Sequence, residues 1–215
     1  MTPILIALLG ALAGLVGGWG VRARLRGGGH RMPGDPPAQP ARWIIPVSCV
    51  AAGVTAYGLA DRVWPMPVIG VLAVLVGVAL AAIDVEVHRL PRLITWPSYP
   101  ILVLLLAAGS WASGDWPALR RAVTAGLVTW LVYYLLHVAA RRRGLGRGDV
   151  TLAGLIGMLL GWFSWPAVLV ATYLTFVLAG LWAGALLVSR RAERGTRIAF
   201  GPFMIAAALA LLAAQ

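Results

Sequence analysis

Eight long stretches of apolar residues follow one another through this 215-residue chain, at roughly 3–21, 43–60, 65–83, 96–113, 118–139, 150–163, 166–188 and 198–214. Crossing about 30 Å of hydrocarbon takes roughly 20 helical residues, and there the backbone can bond only to itself, so runs of this kind form helices. Residues 150–188 carry no charge but are too many for one span. Trp162 to Pro166 is the natural turn dividing them, which leaves a short sixth span. The expected fold is all-α, a polytopic membrane bundle of about eight transmembrane helices, with residues 1–215 as a single membrane domain. A composition of 60% apolar and 12% charged residues lies far outside the soluble range and agrees.

The gaps between runs orient the bundle. All 18 basic residues are arginine, and the gaps 22–42, 84–92, 140–149 and 189–197 hold fifteen of them, against Arg62, Arg120 and Arg121 in the alternate gaps. Positive charge is retained in the cytoplasm, so those four gaps are expected there and both termini outside. This placement accounts for the net charge of +11. Without a basic stripe interleaved with aromatics, nucleic acid is not an expected partner. The run Arg141–Arg142–Arg143 is expected to fix topology and to touch anionic lipid.

Thr2 to Val21 lacks a basic residue before its apolar stretch and is followed by Arg22, Arg24 and Arg26, so it reads as a retained first span. Residues 22–42, with Gly27 to Gly29 and Pro33, Pro36, Pro37 and Pro40, read as a flexible cytoplasmic loop. Trp43, Trp64, Trp96, Trp111, Trp116, Trp162 and Trp165 fall near run ends and are expected to anchor the interfaces. Cys49 is the only cysteine, and His30 and His137 have no partners at ligand spacing, so neither a metal site nor a cofactor is expected.

Small residues at helical spacing, Gly10, Gly14 and Gly18 and again Gly154, Gly157 and Gly161, are expected to bring helix backbones close together. Among the seven acidic residues, Asp35, Asp61, Asp115 and Glu193 sit in polar gaps and read as solvated or loosely paired. Asp84 and Asp149 differ. Asp84 ends an unbroken apolar run and Asp149 opens another, and ionisable groups at such places are costly enough to mark function. Asp149 also has an ordinary reading, as the N-cap of the helix that follows. Asp84, at a helix C-terminus, faces the negative end of the dipole, so the expectation is a protonated Asp84 beside an ionised Asp149. Two carboxylates on one side of the membrane can divide the roles of base and acid that peptide hydrolysis requires.

The residues around the two aspartates carry more. Asp84 leads into Val85-Glu86-Val87-His88-Arg89-Leu90-Pro91-Arg92, Asp149 closes Gly144-Leu145-Gly146-Arg147-Gly148-Asp149, and Ile198-Ala199-Phe200-Gly201-Pro202-Phe203 opens the last run. In these three motifs, in this order, the chain resembles the type IV prepilin peptidases, membrane aspartyl proteases with a Gly-x-Gly-Asp motif. The resemblance covers roughly residues 66–214. It implies a catalytic pair Asp84 and Asp149, supported by Gly146, Gly148, Pro91, Phe200, Gly201 and Pro202. It further implies removal of a short basic leader from prepilin or pseudopilin substrates with an apolar N-terminal helix, at the cytoplasmic face of a bacterial inner membrane.

Glycines 146 and 148 would permit backbone shapes closed to other residues and let another segment approach Asp149. The chain departs from many members at Arg92, where they carry an acidic or amide residue, and at Thr151, where they carry lysine. Residues 22–42 contain no Cys-x-x-Cys pair, and Gly10 to Arg26 does not reproduce the family's first-helix motif, so N-methyltransferase activity is not expected. Two other functions compete: a small proton-coupled transporter, and an inactive peptidase-like membrane scaffold, which the departures at Arg92 and Thr151 allow.

Overall fold

A computed structural model describes residues 2–29, 31, 35, 41–140, 145–189 and 199–215. These form eight helices, α1 (Pro3–Arg26), α2 (Ile44–Gly58), α3 (Met66–Val87), α4 (Arg92–Ser113), α5 (Trp116–Ala139), α6 (Arg147–Phe163), α7 (Trp165–Val188) and α8 (Gly201–Ala213), with no strand among the described residues. Five of them, α1, α3, α4, α5 and α7, are 22 to 24 residues long and apolar enough to cross a membrane. The other three are shorter, at 15, 17 and 13 residues for α2, α6 and α8. Proline opens or nearly opens α1, α3, α5, α7 and α8, where its missing N–H costs nothing.

Two helices outlast the apolar runs that mark them, because backbone hydrogen bonding continues where hydropathy stops. Residues 22–26, expected as the start of a loop, are the last turn of α1. Of the rest of that loop, residues 30, 32–34 and 36–40 lie outside the described residues, as do Arg141 to Gly144 and Arg190 to Ile198. Arg31 and Asp35 form ion pairs with Glu86 and Arg89, so Asp35 is tied to the end of α3 rather than loose in solvent. The helix α3 runs past Ile83 to Val87 and stops at His88, which takes a left-handed conformation (φ 50°) and donates its N–H to the Asp84 carbonyl at 2.9 Å.

The small-residue faces meet their partners as expected. A Cβ on Gly10 would stand 2.9 Å from the carbonyl oxygen of Ala52 on α2, and one on Gly157 would stand 2.9 Å from that of Ala125 on α5. These contacts join α1 to α2 and α5 to α6, and α8 packs against α2, α3, α6 and α7. By contrast, α3 and α4, although consecutive, keep their backbones apart over most of their length and meet through the Met66 side chain, which packs against Gly109. Six of the seven end-of-run tryptophans are exposed, as anchors require, but Trp162 is 7% exposed and donates its ring N–H to the Ser110 hydroxyl at 2.9 Å. That indole is a core residue because the α6–α7 turn folds it inward, and the hydroxyl on α4 satisfies its one polar atom.

A second polar element is invisible in the sequence. The Arg121 guanidinium on α5 donates to the carbonyls of Gly161 (2.9 Å), Trp162 and Phe163 (3.0 Å). Those carbonyls end α6 without partners in their own helix. The arginine therefore serves as a C-cap supplied by a neighbouring helix.

Candidate active site

Asp84 comes from the last turn of α3 and is 5% exposed. Its Oδ2 accepts the N–H of Gly201 at 3.0 Å. Gly201 is the first residue of α8, so its N–H has no partner within the helix, and Pro202 beside it has no N–H to compete. A Cβ at position 201 would stand 2.8 Å from that same carboxylate oxygen, so only glycine lets the start of α8 close on Asp84. Phe200, the N-cap residue, packs near Phe176 of α7 (ring centroids 5.5 Å apart) and holds this end of α8 in place. Thus Phe200-Gly201-Pro202 acts by delivering one backbone donor.

Asp149 is 9% exposed and lies in the first turn of α6. It is not the N-cap. Gly146 occupies that position, and Asp149, three residues on, reaches back so that its Oδ2 accepts the Gly146 N–H at 2.8 Å. Gly146 has no side chain, so only this returning half of a capping box can form. The glycines of the motif do not supply unusual conformations, since Gly146 is ordinary extended backbone (φ −74°, ψ 156°) and neither residue has a positive φ. They supply room. A Cβ on Gly146 would lie 3.2 Å from Asp149 Oδ2, and one on Gly148 would lie 2.8 Å from the Leu90 Cβ. Pro91, the N-cap residue of α4, holds extended backbone (φ −70°, ψ 124°) directly after Leu90.

Both aspartates line one cavity of about 490 Å³. Each commits Oδ2 to a backbone N–H, and the other oxygen, Oδ1, has no hydrogen-bond partner among the described residues. Each also sits at a helix N-terminus, Asp149 in its own helix and Asp84 against α8. The N-terminus of α8 opposes the C-terminus of α3 at Asp84, which weakens the dipole contrast between the two carboxylates, since Asp149 faces a helix N-terminus alone. The cavity is also lined by Leu90, Trp96, Trp130, Tyr134 and Thr151, with Arg89, Arg92 and Arg147 contributing cationic groups.

His137 is the residue that sequence reasoning missed. It is 6% exposed, lines the cavity, and its Nδ1 lies 2.5 Å from the carbonyl oxygen of Leu145, the residue before Gly146. A carbonyl only accepts, so Nδ1 carries the proton and the ring braces the turn that presents Asp149. No spacing signal could have found it, because no helical or strand period relates residues 137 and 145. On the opposite flank the Tyr99 hydroxyl donates to the Thr151 carbonyl at 2.8 Å, tying α4 to the first turn of α6. Among the described residues no group of three or more His, Cys, Asp and Glu is placed to hold a metal ion.

Two buried carboxylates, each pinned by one oxygen and open at the other, form the candidate site of a helical membrane protein. Residues 71–188, more than half of the chain and including both aspartates, match the type IV leader peptidase family, and the chain belongs to that family. It is 32% identical over 135 residues to the prepilin leader peptidase/N-methyltransferase of Stutzerimonas stutzeri, and 33% identical over 135 residues to that of Pseudomonas aeruginosa. Each alignment covers 62% of this chain and 45% of the relative. With the same-named protein of Dickeya chrysanthemi it shares 30% identity over 166 residues, covering 75% of this chain and 56% of the relative. The chain therefore spans about half the length of the curated relatives it matches. No solved structure matches it.

Proposed function

We propose that this protein is an aspartic endopeptidase that removes the short basic leader from prepilin or pseudopilin substrates at the cytoplasmic face of a bacterial inner membrane. The observation that carries the reading is the pair of open carboxylate oxygens, from Asp84 and Asp149, in one cavity. One carboxylate takes a proton from a water molecule, which attacks the scissile carbonyl. The other, protonated, donates a hydrogen bond to that carbonyl and then delivers its proton to the leaving amide nitrogen. Two such groups titrate as a coupled pair, and the cycle returns one proton to them. The backbone donors Gly146 N–H and Gly201 N–H hold the carboxylates in register and cost no reorganisation during the reaction.

The arginine asymmetry of the gaps supports the cytoplasmic placement, with both termini outside and α2, α6 and α8 completing eight spans. The names of the relatives support the substrate class. The test is leader removal from a prepilin co-expressed with wild type, Asp84→Asn or Asp149→Asn. Cleavage by wild type and at least a thousandfold loss in each variant is expected, and full cleavage by either folded variant would end the assignment.

A further inference from the structure

The separation of the α3 and α4 backbones leaves an apolar groove of about 220 Å³, walled by these two helices and floored by α6 and α8. Its lining runs from Ile69 to Leu80 on α3, twelve residues that span about 16 Å of helix axis. Ile101 faces them from α4, and Ala73 and Ala208 keep the groove deep. The single polar side chain in the lining, Ser98, spends its hydroxyl on the Ile94 carbonyl at 2.7 Å, so the groove offers no free polar group. Water, ions and polar chain find nothing to bind there.

The groove lies beside the catalytic cavity. Along α6, Asp149, Val150 and Thr151 line the cavity and Leu152 lines the groove; along α3, Leu80 lines the groove and Asp84, one turn later, the cavity. We propose that the groove seats the apolar helix of the polypeptide whose leader is removed, a reading that rests on the leader-peptidase function above. A chain lying in hydrocarbon must satisfy its own backbone hydrogen bonds, so the segment in the groove is helical. At the aspartates the same chain must be extended, because a helical amide is not open to attack. The four residues from Leu80 to Asp84 rise about 6 Å, which two extended residues cover, so the apolar helix begins within about two residues of the scissile bond. Small groove residues let its backbone approach closely.

The experiment places a photo-crosslinking side chain at Val76 on α3 or Ile101 on α4, both exposed in the groove, and as a control at Leu181, exposed on α7. Full-length chain in membrane vesicles, checked for leader removal, is irradiated with a tagged prepilin. Adducts to the first dozen apolar residues of the substrate, at least fivefold stronger from Val76 and Ile101 than from Leu181, are expected. In parallel, Ala73→Trp, which fills the groove from its α3 wall, should raise KM for prepilin at least tenfold. Lipid-only adducts, or equal adducts from Leu181, with prepilin still cleaved, overturn the groove while leaving the peptidase intact. Failure of the unsubstituted chain to cleave prepilin at all overturns the function and the groove with it.

Discussion

Replacing Gly201 by alanine tests whether one backbone N–H governs Asp84. The new methyl would stand 2.8 Å from Asp84 Oδ2, well inside van der Waals contact, so the carboxylate or the start of α8 must move by about 0.5 Å. That motion weakens the 3.0 Å bond from Gly201 N–H. A hydrogen bond to a charged acceptor contributes about 1.5–3 kcal/mol, which corresponds to roughly 10- to 150-fold in rate if it is lost on the way to the transition state. Helix propensity acts in the opposite sense, since alanine in a helix is favoured over glycine by about 1 kcal/mol. Gly180 and Gly184 on α7, with nothing within 4 Å of an added Cβ, give the controls. In a gel assay of leader removal, Gly201→Ala should lose activity by one to two orders of magnitude while its thermal unfolding in detergent stays near wild type, and Gly180→Ala should keep full activity. Wild-type kcat/KM in a folded Gly201→Ala enzyme would refute the proposed delivery of the donor by α8.

Other substitutions separate positioning from stability. Removing the guanidinium in Arg121→Ala strips the carbonyl partners from the end of α6 and should destabilise the fold by about 2–3 kcal/mol, read by denaturation in micelles, with the folded fraction still active. His137→Ala releases the turn before Gly146 and should lower kcat about tenfold more than it changes KM, whereas His137→Asn, whose amide nitrogen sits where Nδ1 does, should recover part of the loss. A variant of His137 with unaltered kinetics would exclude the bracing role. Arg92 is exposed and lines the cavity, so Arg92→Glu should improve cleavage of a basic leader roughly threefold at low salt, an effect that vanishes at high salt; no salt dependence would remove Arg92 from leader recognition.

Much of this molecule is already written in local pattern. Hydropathy is a property of consecutive residues, so all eight helices, the short α6, and the turn between Trp162 and Pro166 were legible. The spacing of Gly10, Gly14 and Gly18 pointed to a close helix contact, and their partner proved to be α2. The cost of placing Asp84 and Asp149 where apolar runs begin and end singled out both carboxylates without any contact being known. What the chain order could not carry were pairings between distant residues, because no periodicity relates them. Only the packing of α8 against α3 brought Gly201 to Asp84, 117 residues away, and with it the second helix terminus that weakens the simple dipole argument. Packing also moved Trp162 from the interface to the core, turned Arg121 into a cap and His137 into a brace, and opened the groove between two consecutive helices. Sequence determined which segments are apolar helices and which two side chains are costly at their ends; tertiary structure decided what those side chains face, because hydrogen bonds and steric room depend on atoms that the chain brings together only when its helices pack.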